Sequence, residues 1–131
     1  MLLVDDNVFN IKTMQSLLKL KYSIMPVVAM NGEEALKKVE ERLKECKDGE
    51  QPFKLILMDC NMPIMDGFKA SKLILAACQK AQCELPLIIA LTAFDNAEVE
   101  QQCKNIGINQ FIVKPISPTR LGECLQSVGL V

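Results

Sequence analysis

The sequence predicts an open α/β fold, a three-layer sandwich in which helices cover both faces of a five-stranded parallel sheet. Short apolar segments alternate with helix-like segments along the chain, five of each. Four of the apolar segments are continuous runs rather than alternating patterns, namely LLV, LILM, LIIAL and FIV. Continuous runs are typical of strands that are buried on both faces, as they are in a parallel sheet between two helical layers.

Polar or turn-forming residues bound each predicted element. Strands are predicted at residues 2–4, 23–30, 55–58, 87–91 and 110–113. Helices are predicted at residues 8–21, 33–46, 67–80, 96–105 and 117–128. Asn7 and Ser117 are expected to cap the first and last helices, because their side-chain oxygens can accept hydrogen bonds from the first helical turn. Pro63 and Gly67 are expected to shape the loop after the third strand.

Length and charge favour one globular domain over residues 1–131. Half of the 131 residues are hydrophobic, and the net charge is −1. This charge offers no basic surface for nucleic acid or for an anionic membrane. The longest apolar runs fall far short of the ~20 residues that cross a bilayer, and the start MLLVDDN lacks a basic signal-peptide region. We therefore expect a cytoplasmic domain without membrane contact of its own, which is compatible with a membrane-attached parent protein.

Six cysteines and the absence of histidine restrict the chemistry. No two cysteines form a C-x-x-C pair, and no histidine is present to complete a zinc site. A chain of this length can build a core without disulfides, so we predict reduced thiols. Ser-His-Asp and Cys-His catalysis are excluded. Any phosphohistidine in the chemistry must come from another protein or from another part of the same one.

Polar side chains collect where the predicted strands end. Asp5 and Asp6 follow the first strand, Asp59 the third, Thr92 the fourth and Lys114 the fifth. The carboxyl ends of parallel strands meet at one edge of an open sheet, where such folds bind ligands. Neighbouring carboxylates repel one another unless a cation is present, and oxygen ligands without His or Cys favour Mg²⁺. A carboxylate beside a metal and a lysine can accept a phosphoryl group as an aspartyl phosphate.

These residues lie in motifs that resemble the receiver domain of two-component signalling proteins. The matching stretches are VDDN at 4–7, MDCNMPIMDG at 58–67, ALTA at 90–93 and VKP at 113–115. They span nearly the whole chain, in the order and spacing of that family. The resemblance implies a flavodoxin-like fold with strand order 2-1-3-4-5 and a function in phosphorelay signal transduction.

By this resemblance, Asp59 is the phosphoacceptor, to which a phosphohistidine on a partner donates its phosphoryl group in a Mg²⁺-dependent reaction. Asp6 and Asp59 are direct metal ligands, and Asp5 holds metal-bound water. Asn61 contributes its backbone carbonyl to the metal. An acidic pair on its own would more simply interact with a helix N-terminus, and its combination with Asp59 favours the metal site.

The resemblance also implies a conformational switch. Thr92 is the hydroxyl that turns toward the phosphoryl group, Lys114 pairs with that group, and Phe111 holds the aromatic position that swings inward when Thr92 moves. The Lys114–Pro115 peptide bond is expected to be cis, which directs the lysine toward the site. Taken singly, Thr92 would be an ordinary strand residue, Lys114 an ordinary surface residue and Phe111 an ordinary core residue. Their combination with Asp59 favours the switch.

The stretch DDNVFNIKTM resembles receivers fused to hybrid histidine kinases more than those of transcription regulators. We therefore expect one domain of a larger hybrid kinase, without a DNA-binding output domain. The expected partner is a histidine kinase or a histidine phosphotransfer protein. Its histidine-bearing helix is expected to meet the first helix near Ile11, Met14, Gln15 and Leu18, although these residues also suit the core.

Two other functions are compatible with parts of the pattern. A phosphatase of the haloacid dehalogenase class also uses aspartate and Mg²⁺, but its nucleophile and acid are two residues apart, whereas Asp5 and Asp6 are adjacent. A receiver-like interaction module that is never phosphorylated would be expected to lack one of the acidic or lysine positions. We expect a signalling domain that promotes its own phosphorylation, rather than a turnover enzyme.

Overall fold

The computed structural model describes residues 1–47, 49–62, 65–93, 97–108 and 110–131. Strands and helices alternate along these residues, as the sequence predicts. The strands are β1 (Leu2–Val4), β2 (Val27–Ala29), β3 (Leu55–Asp59), β4 (Leu87–Thr92) and β5 (Gln110–Val113). The helices are α1 (Val8–Tyr22), α2 (Gly32–Leu43), α3 (Gly67–Lys80), α4 (Ala97–Ile106) and α5 (Pro118–Ser127). The predicted helix start at Asn96 and the predicted loop residue Pro63 lie outside the described residues.

The five strands form one sheet in the order β2-β1-β3-β4-β5, and every neighbouring pair is parallel. This confirms the predicted strand order and the predicted fold class. Because all strands run the same way, their carboxyl ends lie at one edge of the sheet. We call this edge the carboxyl edge, and the opposite one the amino edge.

Helices cover both faces of the sheet, which explains why the strands are continuous apolar runs. Leu55 and Leu57 face one layer of the core, whereas Ile56 and Met58 face the other. The first layer is closed by side chains of α1 and α5, namely Ile11, Leu18, Leu121, Cys124 and Leu125. The second is closed by side chains of α2, α3 and α4, including Ala35, Val39, Ala70, Ile74, Cys78, Val99 and Cys103.

Polar caps fix where the helices begin. The Asn7 side chain accepts hydrogen bonds from the backbone N–H groups of Phe9 and Asn10, and Ser117 accepts one from Arg120. Both predicted caps are therefore confirmed. Such caps satisfy donors that the first helical turn leaves free, and each stabilises its helix by about 1 kcal/mol.

The prediction of a strand over residues 23–30 was wrong in its first half. Ser23 adopts a left-handed conformation, with φ of 56°, and ends α1. Its N–H donates to the Lys19 carbonyl, and the N–H of Ile24 donates to the Leu18 carbonyl. These bonds turn the chain away from an extended path. The strand is short for a second reason, since it pairs only with the three-residue β1.

Several further boundaries differ from the prediction, most of them by one residue. Helix α2 ends at Leu43 rather than at residue 46. Strand β3 extends by one polar residue to Asp59, which continues the ladder with β4. Strand β4 likewise extends by one polar residue to Thr92, which continues the ladder with β5. The functional candidates at these positions therefore belong to the sheet itself, and the ladder fixes their backbone. Among the described residues, no helix is long and apolar enough to cross a membrane.

Candidate functional site

Three carboxylates converge at the carboxyl edge. Asp5 and Asp6 follow β1, and Asp59 is the last residue of the neighbouring β3. Each offers a carboxylate oxygen, and these oxygens lie within 4.8 Å of one another. Asp5 and Asp59 are only 6% and 1% exposed, whereas Asp6 is open to solvent. The sequence predicted this acidic group, and the order of the strands assembles it.

Lys114 supplies positive charge to the same group. Its Nζ lies 2.7 Å from Oδ1 of Asp59 and 4.0 Å from Oδ2 of Asp5. Its backbone N–H donates to the Thr92 carbonyl at 2.7 Å, which ties the end of β5 to the end of β4. The Lys114–Pro115 peptide bond is cis, the isomer that the sequence predicts. One lysine thus faces two buried carboxylates and leaves an excess of negative charge.

The electrostatics of Asp5 reflect that excess. Burial, together with the nearby Asp59 carboxylate, raises the pKa of Asp5. Hydrogen bonds from the Asn7 N–H at 2.9 Å and from Asn10 Nδ2 at 3.4 Å oppose the rise, as does the charge of Lys114. The direction of the net shift means that ionised Asp5 is under-compensated, a condition that a bound cation would relieve.

The loop after β3 is built closely around Asp59. The N–H of Asn61 donates to Oδ1 of Asp59 at 3.1 Å, and the N–H of Cys60 donates to the Leu91 carbonyl at 2.9 Å. A β-carbon on Gly67 would overlap with the backbone carbonyl of Asp59. Only glycine leaves room for α3 to begin this close to the strand end. The Asp66 side chain caps that helix by accepting from the N–H of Lys69.

Thr92 and Phe111 lie on neighbouring strands beside the carboxylates. Thr92 is 1% exposed and ends β4, where it is paired with Val113. Phe111 is half-buried, is paired with Ala90 and packs against the core layer beneath α2, α3 and α4. Both side chains are therefore close in the sheet to the strand ends that carry the site, and their role as a switch stays a prediction.

The first helix contributes differently from what the sequence predicted. Ile11 and Leu18, expected at the partner-facing side, are buried in the core at 5% and 0% exposure. This correction follows from the helical period, which turns both residues toward the sheet while Met14 and Gln15 stay half-exposed. The exposed apolar residues of α1 are instead Val8 and Phe9, at 52% and 78%, at its start, and Leu20, at 85%, near its other end.

Asn10 is a site residue for which the sequence predicts no role. Its amide reaches back to Asp5 from the first turn of α1. The only sequence signal was its position in the stretch DDNVFN, which does not reveal where the side chain points. Asn10, Met14 and Leu17 also line a cleft of about 320 Å³ that opens between α1 and the segment from Lys114 to Ile116.

The geometry defines the available chemistry. Asp5, Asp6 and Asp59 form an oxygen-only ligand set that suits a hard divalent cation such as Mg²⁺. Lys114 and the N–H of Asn61 both engage Oδ1 of Asp59, which leaves Oδ2 for other chemistry among the described contacts. A buried carboxylate beside a cation and a metal site is suited to nucleophilic attack on an anionic group, since both charges offset the repulsion.

Solved structures with the same fold include a receiver domain and a chemotaxis protein. The receiver domain of the histidine kinase CKI1 from Arabidopsis thaliana, complexed with Mg²⁺ and BeF3⁻, aligns with a TM-score of 0.83 and 28% identity, over 98% of this chain and 87% of that one. The chemotaxis protein CheY4 of Vibrio cholerae aligns with a TM-score of 0.74 and 30% identity, over 97% of this chain and 95% of that one.

The sequence itself is similar to parts of much longer proteins. It is 34% identical over 128 residues to hybrid signal transduction histidine kinase A of Dictyostelium discoideum, covering 98% of this chain but 6% of that protein. It is also 32% identical to histidine kinase 5 of Arabidopsis thaliana, in an alignment of 149 residues that covers 95% of this chain and 15% of that protein. Residues 1–126 match the response regulator receiver domain. This match covers nearly the whole chain, and it agrees with the carboxylate cluster, the paired lysine and the 2-1-3-4-5 sheet. The chain therefore belongs to the response regulator receiver domain family.

Proposed function

We propose that the chain accepts a phosphoryl group from a phosphohistidine onto Asp59, and that it passes a signal by changing conformation. The observation that carries this proposal is the 2.7 Å pair between buried Asp59 and Lys114, set beside two further carboxylates. A buried carboxylate with this company is preorganised for attack on phosphorus. The proposal makes the domain a phosphoacceptor in a phosphorelay, rather than an enzyme with turnover of its own.

The ligand set fits Mg²⁺. Asp6, Asp59 and the backbone carbonyl of Asn61 would hold the ion, with Asp5 in support. When bound, the ion would neutralise charge on the carboxylates and on the transferring phosphoryl group. Two features support this assignment. The oxygens of the three aspartates are close enough to share one cation, and the raised pKa of Asp5 reflects charge that a cation would offset.

In the proposed reaction, Oδ2 of Asp59 attacks the phosphorus in line with the departing imidazole nitrogen. The new bond is a carboxyl oxygen–phosphorus bond, and the phosphorus–nitrogen bond of the donor breaks. The imidazole keeps the bonding electron pair and is neutralised by a proton. Lys114 then pairs with the phosphoryl oxygens, and the Thr92 hydroxyl donates to one of them. Movement of Thr92 would free space beside Phe111, whose ring turns inward and alters the surface near β5.

The proposed donor is a histidine kinase or a histidine phosphotransfer protein. Exposed Val8 and Phe9 lie just beyond Asp5 and Asp6, at the start of α1. Apolar side chains at this position could seat a partner helix and bring its histidine near the site. The similarity to hybrid kinases supports a parent protein of that class, with this domain in the cytoplasm.

A small phosphodonor tests the acceptor. Acetyl phosphate with Mg²⁺ should label the wild-type chain, and the label should be lost in Asp59→Asn and in the presence of a chelator. Asp66→Asn is the matched control, because an asparagine side chain can still cap the helix and the position lies on the same loop. Label that persists in Asp59→Asn would contradict the proposal. Steady phosphate release without retained label would indicate a phosphatase, and no label at all an interaction module.

A further inference from the structure

The amino edge of the sheet carries a pair of joined connections. The first segment, of which residues 44–47 and 49–54 are described, leads from α2 into β3, and the second segment, residues 81–86, leads from α3 into β4. The N–H of Gly49 donates to the Gln82 carbonyl at 3.5 Å, and the N–H of Glu84 donates to the Glu50 carbonyl at 3.1 Å. The Gln51 amide adds a bond of 2.9 Å to the Leu85 carbonyl. These bonds hold the two segments side by side.

Two thiols meet where the segments adjoin. The side chains of Cys46 and Cys83 lie close enough to interact, and burial together with Cys83 raises the pKa of the Cys46 thiol. Cys83 is 8% exposed and also donates to the Ala81 carbonyl, with 3.7 Å between Sγ and the oxygen. Cys46 is half-exposed, so a small reagent can reach one member of the pair from solvent. All six cysteines are free thiols in this structure, as the sequence predicts.

We propose that Cys46 and Cys83 are an oxidation site at which a hydroperoxide forms an intramolecular disulfide. The Cys46 thiolate attacks a peroxide oxygen, which gives a sulfenic acid and releases water or an alcohol. The Cys83 sulfur then attacks the sulfenic sulfur, and a second water leaves. The two thiols lose two electrons and two protons, and the peroxide is reduced by the same two electrons.

The other thiols are less suited to this reaction. Burial raises the pKa of Cys60 to about 12 and that of Cys78 to about 11, and their side chains are at most 3% exposed, so a reagent in solution does not reach them. The pKa of Cys46 is raised by burial as well, and its greater exposure is what distinguishes it from these thiols. Cys103 and Cys124 are 2% and 3% exposed. Cys78 is the nearest competing thiol. Its backbone carbonyl accepts a hydrogen bond from the N–H of Cys83, and both Cys83 and Cys46 contribute to its raised pKa. Its side chain, however, is 0% exposed.

The disulfide would affect stability rather than phosphoacceptor chemistry. It would link the segments that enter β3 and β4, whereas Asp59 and Thr92 lie at the far ends of those strands. A cross-link between residues 46 and 83 closes a long loop in the unfolded chain and so lowers its entropy. We expect the oxidised chain to melt roughly 10 °C higher than the reduced chain, with unchanged labelling at Asp59.

Peptide mapping tests the pairing directly. The chain is treated with hydrogen peroxide, alkylated and digested with trypsin without reduction, on a Cys103→Ala background. Cleavage after Lys44, Lys47, Lys80 and Lys104 releases Cys46 on peptide 45–47 and Cys83 on peptide 81–104, while Cys78 lies on peptide 73–80. We expect peptide 45–47 linked to peptide 81–104. A link to peptide 73–80, a disulfide-linked dimer, or alkylated Cys46 and Cys83 after peroxide treatment would each overturn the proposal.

Thermal melting provides an independent check. Cys46→Ser changes a half-exposed side chain and should melt like the reduced wild type, but without the peroxide-induced rise. Cys124→Ala is the control, because it removes a buried thiol of α5 and leaves the pair intact. It should retain the rise even if its own melting temperature is lower. A peroxide-induced rise in Cys46→Ser, or its loss in Cys124→Ala, would contradict the assignment.

Discussion

The two edges of the sheet are formed by the same strands but differ in the kind of side chain that each one buries. At the carboxyl edge, Asp5, Asp59 and Thr92 are polar yet at most 6% exposed, and Lys114 faces the two carboxylates. At the amino edge, Phe53 and Cys83 are buried beside backbone hydrogen bonds between two connections. The first edge concentrates buried carboxylates, whose charge burial penalises, whereas the buried side chains of Phe53 and Cys83 at the second edge carry no such charge.

This difference indicates how the fold separates chemistry from stability. Charge at the carboxyl edge makes the native state depend on cations and pH, because the carboxylates repel one another. Contacts at the amino edge should be indifferent to Mg²⁺. Perturbations of the two edges should therefore be distinguishable by whether added Mg²⁺ changes the result.

The largest effect is expected from Gly67→Ala. The added methyl group overlaps with the Asp59 carbonyl, which belongs to a strand and cannot move freely. We expect a loss of about 3 kcal/mol in the free energy of unfolding, measured with urea, together with weaker Mg²⁺ binding. Gly122→Ala is the control, since its methyl group would meet the Tyr22 hydroxyl at the end of a side chain rather than backbone. Equal losses in both variants would show that the close approach at Asp59 is unimportant.

Lys114→Met should come next. It removes the cation that pairs with Asp59 and leaves a buried carboxylate uncompensated. We expect a loss of about 2 kcal/mol without Mg²⁺, less than for a fully buried pair because Lys114 is 28% exposed, and partial recovery at saturating Mg²⁺. Lys104→Met removes an exposed helical pair with Glu100 and should cost about 0.5 kcal/mol or less, with no response to Mg²⁺. If Mg²⁺ restored the free energy of unfolding in both variants, or in neither, the claim that only the carboxyl edge responds to Mg²⁺ would be contradicted.

The pH dependence of Mg²⁺ binding sharpens the comparison further. The pKa of Asp5 is raised, so protonation begins to remove this carboxylate at a higher pH than for an ordinary aspartate. The stability of the metal-free chain should depend on pH in the opposite direction to Mg²⁺ affinity. Protonation of Asp5 favours the folded state, and this stabilisation is lost as the pH rises through the raised pKa of Asp5. Measured by calorimetry, Mg²⁺ affinity should fall as the pH is lowered through the raised pKa of Asp5, and the fall should begin at a higher pH than an ordinary aspartate would give. Asp5→Asn should flatten this dependence, and an unchanged profile in that variant would assign the titration elsewhere.

Asn10→Ala should have the smallest effect. The amide of Asn10 donates to Asp5 over 3.4 Å and so orients that carboxylate from α1. We expect a two- to threefold loss of Mg²⁺ affinity, roughly 0.5 kcal/mol, with little change in unfolding. Thr13→Ala is a suitable control, because the Thr13 hydroxyl bonds to the carbonyl of Phe9 on the same helix. A loss as large as that of Asp5→Asn would mean that Asn10 does more than orient Asp5.

Much of the fold was predictable because patterning and topology agree. Continuous apolar runs indicated a parallel sheet, and strand ends carrying Asp59, Thr92 and Lys114 indicated which edge would hold the site. The extent of β2 was not predictable, since the left-handed turn at Ser23 depends on hydrogen bonds to the preceding helix rather than on β propensity. The burial of Ile11 and Leu18 depends on how α1 is rotated against the sheet, which composition alone does not fix.

Two side-chain contacts were the least visible in the sequence. Asn10 reaches Asp5 through a side-chain conformation, and Cys46 meets Cys83 because two connections lie side by side. The stretch DDNVFN contains Asp5 and Asn10 but does not show that their side chains meet, and no motif spans Cys46 and Cys83. In contrast, Gly67 could be foreseen as a loop residue, and the structure adds the reason, which is contact with the backbone of Asp59.

The central claim, that Asp59 is the phosphoacceptor, is tested most directly by chemical trapping. Borohydride reduces an aspartyl phosphate to homoserine and leaves phosphohistidine and phosphoserine unreduced. The chain would be phosphorylated by a phosphohistidine-bearing protein with Mg²⁺, reduced, digested with trypsin and sequenced by mass spectrometry. Asp59 and Asp66 lie on peptide 55–69, whereas Asp5 and Asp6 lie on peptide 1–12. We predict homoserine at position 59 alone; homoserine at position 5, 6 or 66 with Asp59 intact would contradict the account.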